Sequence, residues 1–157
     1  GTIIDSRIKH YNLLNVISYA TGAQKIKVEI NRRNFGSRYE RKILLGISML
    51  VMVRKDMFAH KLMAMNERVG KTSRDIYDVW FFLKNNWPIN KQIVEQRSGM
   101  SFDELLQKSV EQLKKMDNKH ILDGLGDFLT EPQKDWARAK MRTDTIFLLK
   151  ARMESEK

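Results

Sequence analysis

The hydrophobic period of this chain changes once, near Val53, and that change constrains the fold more than any single motif. Before it, apolar residues fall on alternate positions; after it, they recur every three or four, so strands precede helices. Arg7 to Tyr19 is rich in β-formers and reads as a strand, with Ala20-Thr21-Gly22-Ala23 as the turn that follows it. In Lys25-Ile26-Lys27-Val28-Glu29-Ile30 the apolar residues share one face, and Lys25, Lys27 and Glu29 share the other. Ile43 to Val53 is a third strand, apolar enough to be expected in the interior. Past Val53, Met57, Phe58, Leu62 and Met65 form one helix face that stops at Gly70. Ser73 opens a second helix running towards Trp87-Pro88, and Ser101 caps a third from Phe102 to Met116. Lys119 to Leu129 is a short helix or loop, and Pro132 to Glu154 is a long terminal helix. The expected class is α+β, a small antiparallel sheet of about three strands followed by a bundle of four to five helices. Residues 1–53 form the strand-rich part and 54–157 the helical part.

A chain of 157 residues with 42% apolar side chains and two prolines can bury one sizeable core. The absence of cysteine removes disulfides, thiolate nucleophiles and cysteine-ligated metal centres, and fits a reducing cytoplasm. No apolar run approaches the roughly 18 residues of a membrane span, and no signal peptide is visible. The formal charge of +10 points to an anionic partner, nucleotide or nucleic acid. It is unevenly spread, with +6 in residues 1–50, +4 in 51–100 and a neutral remainder.

Within the helical part, Lys61, Arg68, Arg74, Asp75 and Asp78 stand on two successive helices and the loop between them. Lys61 and Arg68 are two turns apart on one face, and Asp75 and Asp78 share a face of the next helix. Such helices can aim cations and carboxylates into one cleft, lysine meeting phosphate as a point charge and arginine as a fork. The same residues also have a structural reading. Asp75 sits in a first helical turn, where the helix dipole stabilises a carboxylate by about 0.3–1 kcal/mol. Arg74 and Asp78 make an i,i+4 pair of about 0.2–0.5 kcal/mol. Glu29 is a metal ligand or a cross-strand ion-pair partner. Asp56 and His60, four apart on a helix, are two groups where a metal site needs more. The stripe Trp80, Phe81, Phe82 and Trp87 has the spacing of core.

The run Ala59-His60-Lys61-Leu62-Met63-Ala64-Met65-Asn66-Glu67-Arg68 followed by Arg74-Asp75-Ile76-Tyr77-Asp78-Val79 resembles the late motif of the AbiEii/AbiGii nucleotidyltransferases, with Lys27-Val28-Glu29-Ile30 similar to the preceding strand motif. The resemblance implies a DNA-polymerase-β-like architecture and the toxin half of a bacterial toxin–antitoxin or abortive-infection pair. Such an enzyme moves a nucleotide from NTP and Mg²⁺ to an acceptor such as a tRNA, and answers to a cognate antitoxin. It places Glu29 at the metal with Lys27 beside it, Lys61 and Arg68 on the nucleotide phosphates, Arg74 and Asp75 shaping the pocket, and Asp78 supporting it.

The family's Gly-Ser and Asp-x-Asp motif belongs upstream of Lys27, where only 26 residues stand and Asp5-Ser6-Arg7 is no Asp-x-Asp. A chain opening on Gly1-Thr2 is therefore expected to be the later portion of such an enzyme, nearly inactive alone, because in-line transfer depends on metal-neutralised charge. The competing reading is a non-catalytic nucleic-acid-binding module in which Arg32, Arg33, Arg38, Arg41 and Lys42 form a basic loop.

Overall fold

A computed structural model describes residues 2–9, 12–18, 21 and 26–155. The chain divides into two compact units between Phe35 and Gly36. The class is α+β as the change of period requires, but the described residues hold five strands in two sheets where about three in one were expected.

The first unit is an antiparallel sheet of β1 (Thr2–Lys9), β2 (Asn12–Ser18) and β3 (Ile26–Asn31), in that order. Of the stretch from Arg7 to Tyr19, residues 7–9 belong to β1 and 12–18 to β2, with His10, Tyr11 and Tyr19 outside the described residues: Ile8 stands opposite Leu13, and Ile3 opposite Ile17. A thirteen-residue strand would exceed the usual length of about 5–6 residues, and folding back lets the same apolar residues pair with each other. Across the ladder from β2 to β3, Leu13 stands opposite Ile30 and Leu14 opposite Glu29, while Val28 and Ile30 stay exposed. Of the expected turn at Ala20 to Ala23, all but Thr21 lies outside the described residues, as does Lys25.

The second unit opens with a hairpin of β4 (Tyr39–Leu44) and β5 (Ile47–Met52), closed by Leu45-Gly46 with both residues at positive φ. Such a two-residue turn matches the twist of the strands, although leucine adopts that backbone at a cost that glycine avoids. The expectation that this strand segment is interior is overturned. Ile43, Leu44, Ile47 and Leu50 are all at least 59% exposed, and only Val51 to Val53 begin to be covered where the chain enters the helices. Apolar composition predicts a strand, but an interior strand needs something packed on it, and a two-stranded ribbon has two faces to cover.

Six helices follow among the described residues: α1 (Arg54–Arg68), α2 (Arg74–Lys84), α3 (Lys91–Ser98), α4 (Phe102–Lys115), α5 (Glu131–Trp136) and α6 (Arg142–Ser155). Phe58, Leu62 and Met65 of α1 meet Ile76 and Val79 of α2, Ile93 of α3, and Leu105 and Leu113 of α4 in one core. Phe82 meets Phe58 edge-on at 5.4 Å and stacks on Trp87 at 4.4 Å, so that part of the aromatic stripe is interior as its spacing implies. Ser101 and Glu104 form a reciprocal cap at the start of α4. The long terminal helix is interrupted by a π-helical turn at Ala137–Met141, and Lys119 to Leu129 is mostly turn with a short 3-10 segment. Helix α3 was not anticipated, although Asn90 caps it and Gly99 closes it at φ 69°.

Candidate functional site

Helices α1 and α2 are joined by five residues, so they lie side by side and α2 carries its first turn next to the end of α1. The pattern that buries Leu62 and Met65 beneath α1 leaves Lys61 and Arg68 on its flank facing α2. There Lys61 Nζ lies 2.6 Å from Asp78 Oδ2 and 3.5 Å from Asp75 Oδ1, and Arg68 lies 2.8 Å from Asp75 Oδ2. Asp75 is nearly inaccessible at 3%, whereas a third of the Lys61 side chain and half of Arg68 remain open to solvent. The Arg68 contact is an ion pair without hydrogen-bond alignment, for Asp75 Oδ2 receives no hydrogen bond among the described residues. Four residues therefore converge: two half-open cations held from beneath by two carboxylates.

Arg74 does not join them. Its guanidinium lies over the ring of Phe128 at 5.3 Å, on the outward side of α2, and it forms no ion pair with Asp78 among the described residues. Asp78 is paired with Lys61 instead. The Phe128 contact had no local signal, since the two residues are distant in sequence.

Glu29 and Lys27 belong to the first unit. Glu29 is exposed on β3, and the backbone of Lys27 stands opposite Val16. Among the described residues no three His, Cys, Asp or Glu side chains gather as a metal site. Asp75 and Asp78, already neutralised by Lys61 and Arg68, do not fit Mg²⁺, which takes oxygen ligands in near-octahedral geometry.

The basic residues named for nucleic-acid binding do not make one loop. Arg32 and Arg33 precede the division between the units, with Arg33 over the ring of Phe35 at 5.7 Å. Arg38 is exposed, while Arg41 and Lys42 are neighbours on β4 and so point to opposite faces of the ribbon; Lys42 lies 3.1 Å from Glu40.

Asp56 and His60, set aside as a metal pair, have structural tasks. Asp56 has no accessible surface, although only a thin layer covers it; it accepts hydrogen bonds from Arg38 N–H at 2.8 Å and Asn90 Nδ2 at 2.7 Å. Burial pushes its carboxyl up, but these hydrogen bonds and the charges of Arg38 and Lys55 outweigh burial and leave it below the usual carboxylate range. Arg97 donates to His60 Nδ1 at 2.7 Å, so Nε2 carries the proton and donates to Ser37 Oγ at 2.7 Å. Arg97 also reaches Glu67 at 2.9 Å.

No helix among the described residues is long and apolar enough to cross a membrane. The sequence model of the family described as nucleotidyl transferase AbiEii toxin, type IV toxin–antitoxin system, matches residues 2–147. No curated protein and no solved structure matches the chain.

Proposed function

Since the chain belongs to the AbiEii family of nucleotidyl transferase toxins, we propose that the Lys61, Arg68, Asp75 and Asp78 cluster is where it grips the phosphates of a nucleoside triphosphate. The observation that carries this reading is the asymmetry of the cluster. Its carboxylates are buried or half-buried and its cations are half-open, so the cations are oriented from within and available from without. Lys61 supplies a compact positive charge and Arg68 a planar fork, the two forms of phosphate recognition. Asp75 and Asp78 fix both heads before the nucleotide arrives, which lowers the cost of ordering long side chains on binding. As charge spreads over the transferred phosphoryl group and the leaving pyrophosphate, prepositioned cations stabilise it more than mobile ones do.

The acceptor is a tRNA, met by basic residues outside the cluster. The enzyme works in the cytoplasm and is restrained by a cognate antitoxin. Mg²⁺ enters no step derived from these residues. The sequence has no Asp-x-Asp strand before Lys27, and on that ground this chain by itself binds nucleotide with little transfer.

The test is thermal stabilisation by each NTP, repeated with Lys61→Ala and Asp78→Ala. One nucleotide at a hundredfold excess over its Kd contributes about 2.7 kcal/mol, and both variants should lose that response while keeping their helical content. A response that survives in both variants would remove the cluster from the nucleotide site. Binding to nucleic acid of any sequence that falls steeply with salt, with no response to NTP, would favour a basic binding module.

A further inference from the structure

The contacts between α1 and α2 form one ladder, which runs past the phosphate cluster to the opposite end of the seam. Arg68 meets Asp75 and Lys61 meets Asp78; beyond them Phe58 meets Phe82, and the Arg54 guanidinium lies over the ring of Trp87 at 4.9 Å. Arg54, Lys61 and Arg68 are spaced by seven, two helical turns or about 10 Å each, so they share one flank of α1. The far end of this seam is aromatic as well as basic. Trp87 stacks on the buried Phe82 at 4.4 Å, and Phe81 stands edge-on to Trp87 at 6.0 Å. Phe81 is a member of the aromatic stripe that the core leaves out: it is 40% exposed, one turn after Asp78, and Arg54 is exposed too.

The positive charge at this end is not cancelled. Of the four carboxylates on the two helices, Asp56 has no accessible surface and accepts from Arg38 N–H and Asn90, and Asp75 is buried. Asp78 lies against Lys61, Glu67 against Arg97, and Glu40, the one carboxylate of β4, against Lys42. Arg54 and Lys55 form no ion pair among the described residues. Arg38 is exposed, and its carbonyl accepts from the N–H of Val53, which seats a third basic residue beside Arg54. A ring, or a guanidinium held on an indole, takes the face of a base, and base faces are open only where nucleic acid is unpaired. The base of a mononucleotide would use Phe81 and leave the further cations idle, whereas a strand brings them phosphates.

We propose that this end of the α1–α2 seam binds an unpaired strand of nucleic acid, the 3′ end of the acceptor RNA. Its bases stack on Phe81 and on Arg54 over Trp87, and its phosphates meet Lys55 and Arg38. That the strand is the acceptor rests on the reading of Lys61 and Arg68 as the triphosphate site, along the same flank; that an unpaired strand binds does not. The probe is labelled oligouridylate, alone and paired with oligoadenylate, titrated into the 157-residue chain by fluorescence anisotropy. The single strand should bind about tenfold more tightly than the duplex, or better. Phe81→Ala should weaken it about fivefold or more and Phe81→Trp should not, both with unchanged circular dichroism. Arg54→Lys keeps the charge and loses the plane, so it should weaken binding about threefold or more while the salt slope stays that of the parent. Thermal stabilisation by NTP should survive all three variants. The proposal is overturned if the duplex binds as tightly as the single strand, or if Phe81→Ala binds the strand as the parent does. Loss of NTP stabilisation in Phe81→Ala would also overturn it, by giving the ring to the base of the triphosphate. If Lys61→Ala keeps its NTP stabilisation, the triphosphate reading falls and the identity of the strand as acceptor with it, while strand binding stands or falls on the anisotropy.

Discussion

Asp56 and Asp75 are both almost inaccessible carboxylates on neighbouring helices, and they are held in opposite ways. Asp56 accepts from a fixed backbone N–H and an asparagine amide, and it ties the segment before β4 to the cap of α3. Asp75 is held by long cations whose heads lie partly in water, and one of its oxygens receives no hydrogen bond among the described residues. A carboxylate satisfied by fixed donors locks structure, because removing it strands them. One facing half-open cations positions charge, because those cations can hydrate if it is lost or meet a phosphate if one arrives.

The largest expected effect breaks or keeps this contrast directly. Asp56→Ala removes the acceptor shared by the part-buried Arg38 N–H and Asn90 amide, at about 1–3 kcal/mol in all. Asp75→Ala frees two cations that already touch solvent and should cost about 1 kcal/mol or less. Denaturant unfolding of the two variants measures both. Equal losses would make Asp75 a structural residue like Asp56.

Acid sharpens the comparison with a smaller effect. The Asp56 carboxyl titrates below its ordinary value of 3.8 in the folded chain, so the unfolded chain takes up its proton first as pH falls. Its contribution is therefore fully present above that ordinary value and is lost as pH falls through the lowered folded value. Asp56→Asn should flatten the acid limb of stability against pH over that window. An unchanged limb would mean that other carboxylates govern acid unfolding.

The sequence exposed the two helices of the site and most of its charges, because Lys61, Arg68, Asp75 and Asp78 obey helical spacing and one short loop brings them together. It also misplaced what depends on distant partners. Arg74 shares that spacing, yet its neighbour is Phe128, which no periodicity links to it. The strand at Ile43 to Val53 has the composition of an interior strand, but coverage belongs to whatever packs on it, and local pattern does not encode that. The division of Arg7 to Tyr19 into β1 and β2 was hidden because both strands share one alternating apolar pattern. Gly124 shows a related limit, for no local pattern links it to Thr72, whereas in the structure a Cβ there, at φ 69°, would stand 3.1 Å from Thr72 Oγ1. Gly124→Ala should destabilise by about 1–2 kcal/mol through that backbone conformation and by displacing the α1–α2 loop, a loss readable as a lower midpoint in urea.

Arg74 provides the smallest effect. Over an exposed ring such as Phe128, which is 71% accessible, a guanidinium gains about 0.5–1 kcal/mol. Arg74→Ala should cost no more than that, and Phe128→Ala should cost the same, with the double variant no worse than either single one if the contact is their whole contribution. The same variant separates two views of the site. If Arg74 stays on Phe128 when nucleotide binds, NTP stabilisation survives Arg74→Ala and is lost in Lys61→Ala. If Arg74→Ala abolishes it while Phe128→Ala strengthens it, the ring is a resting place from which the guanidinium swings to the phosphates, and the α1–α2 cluster gains a third cation on binding.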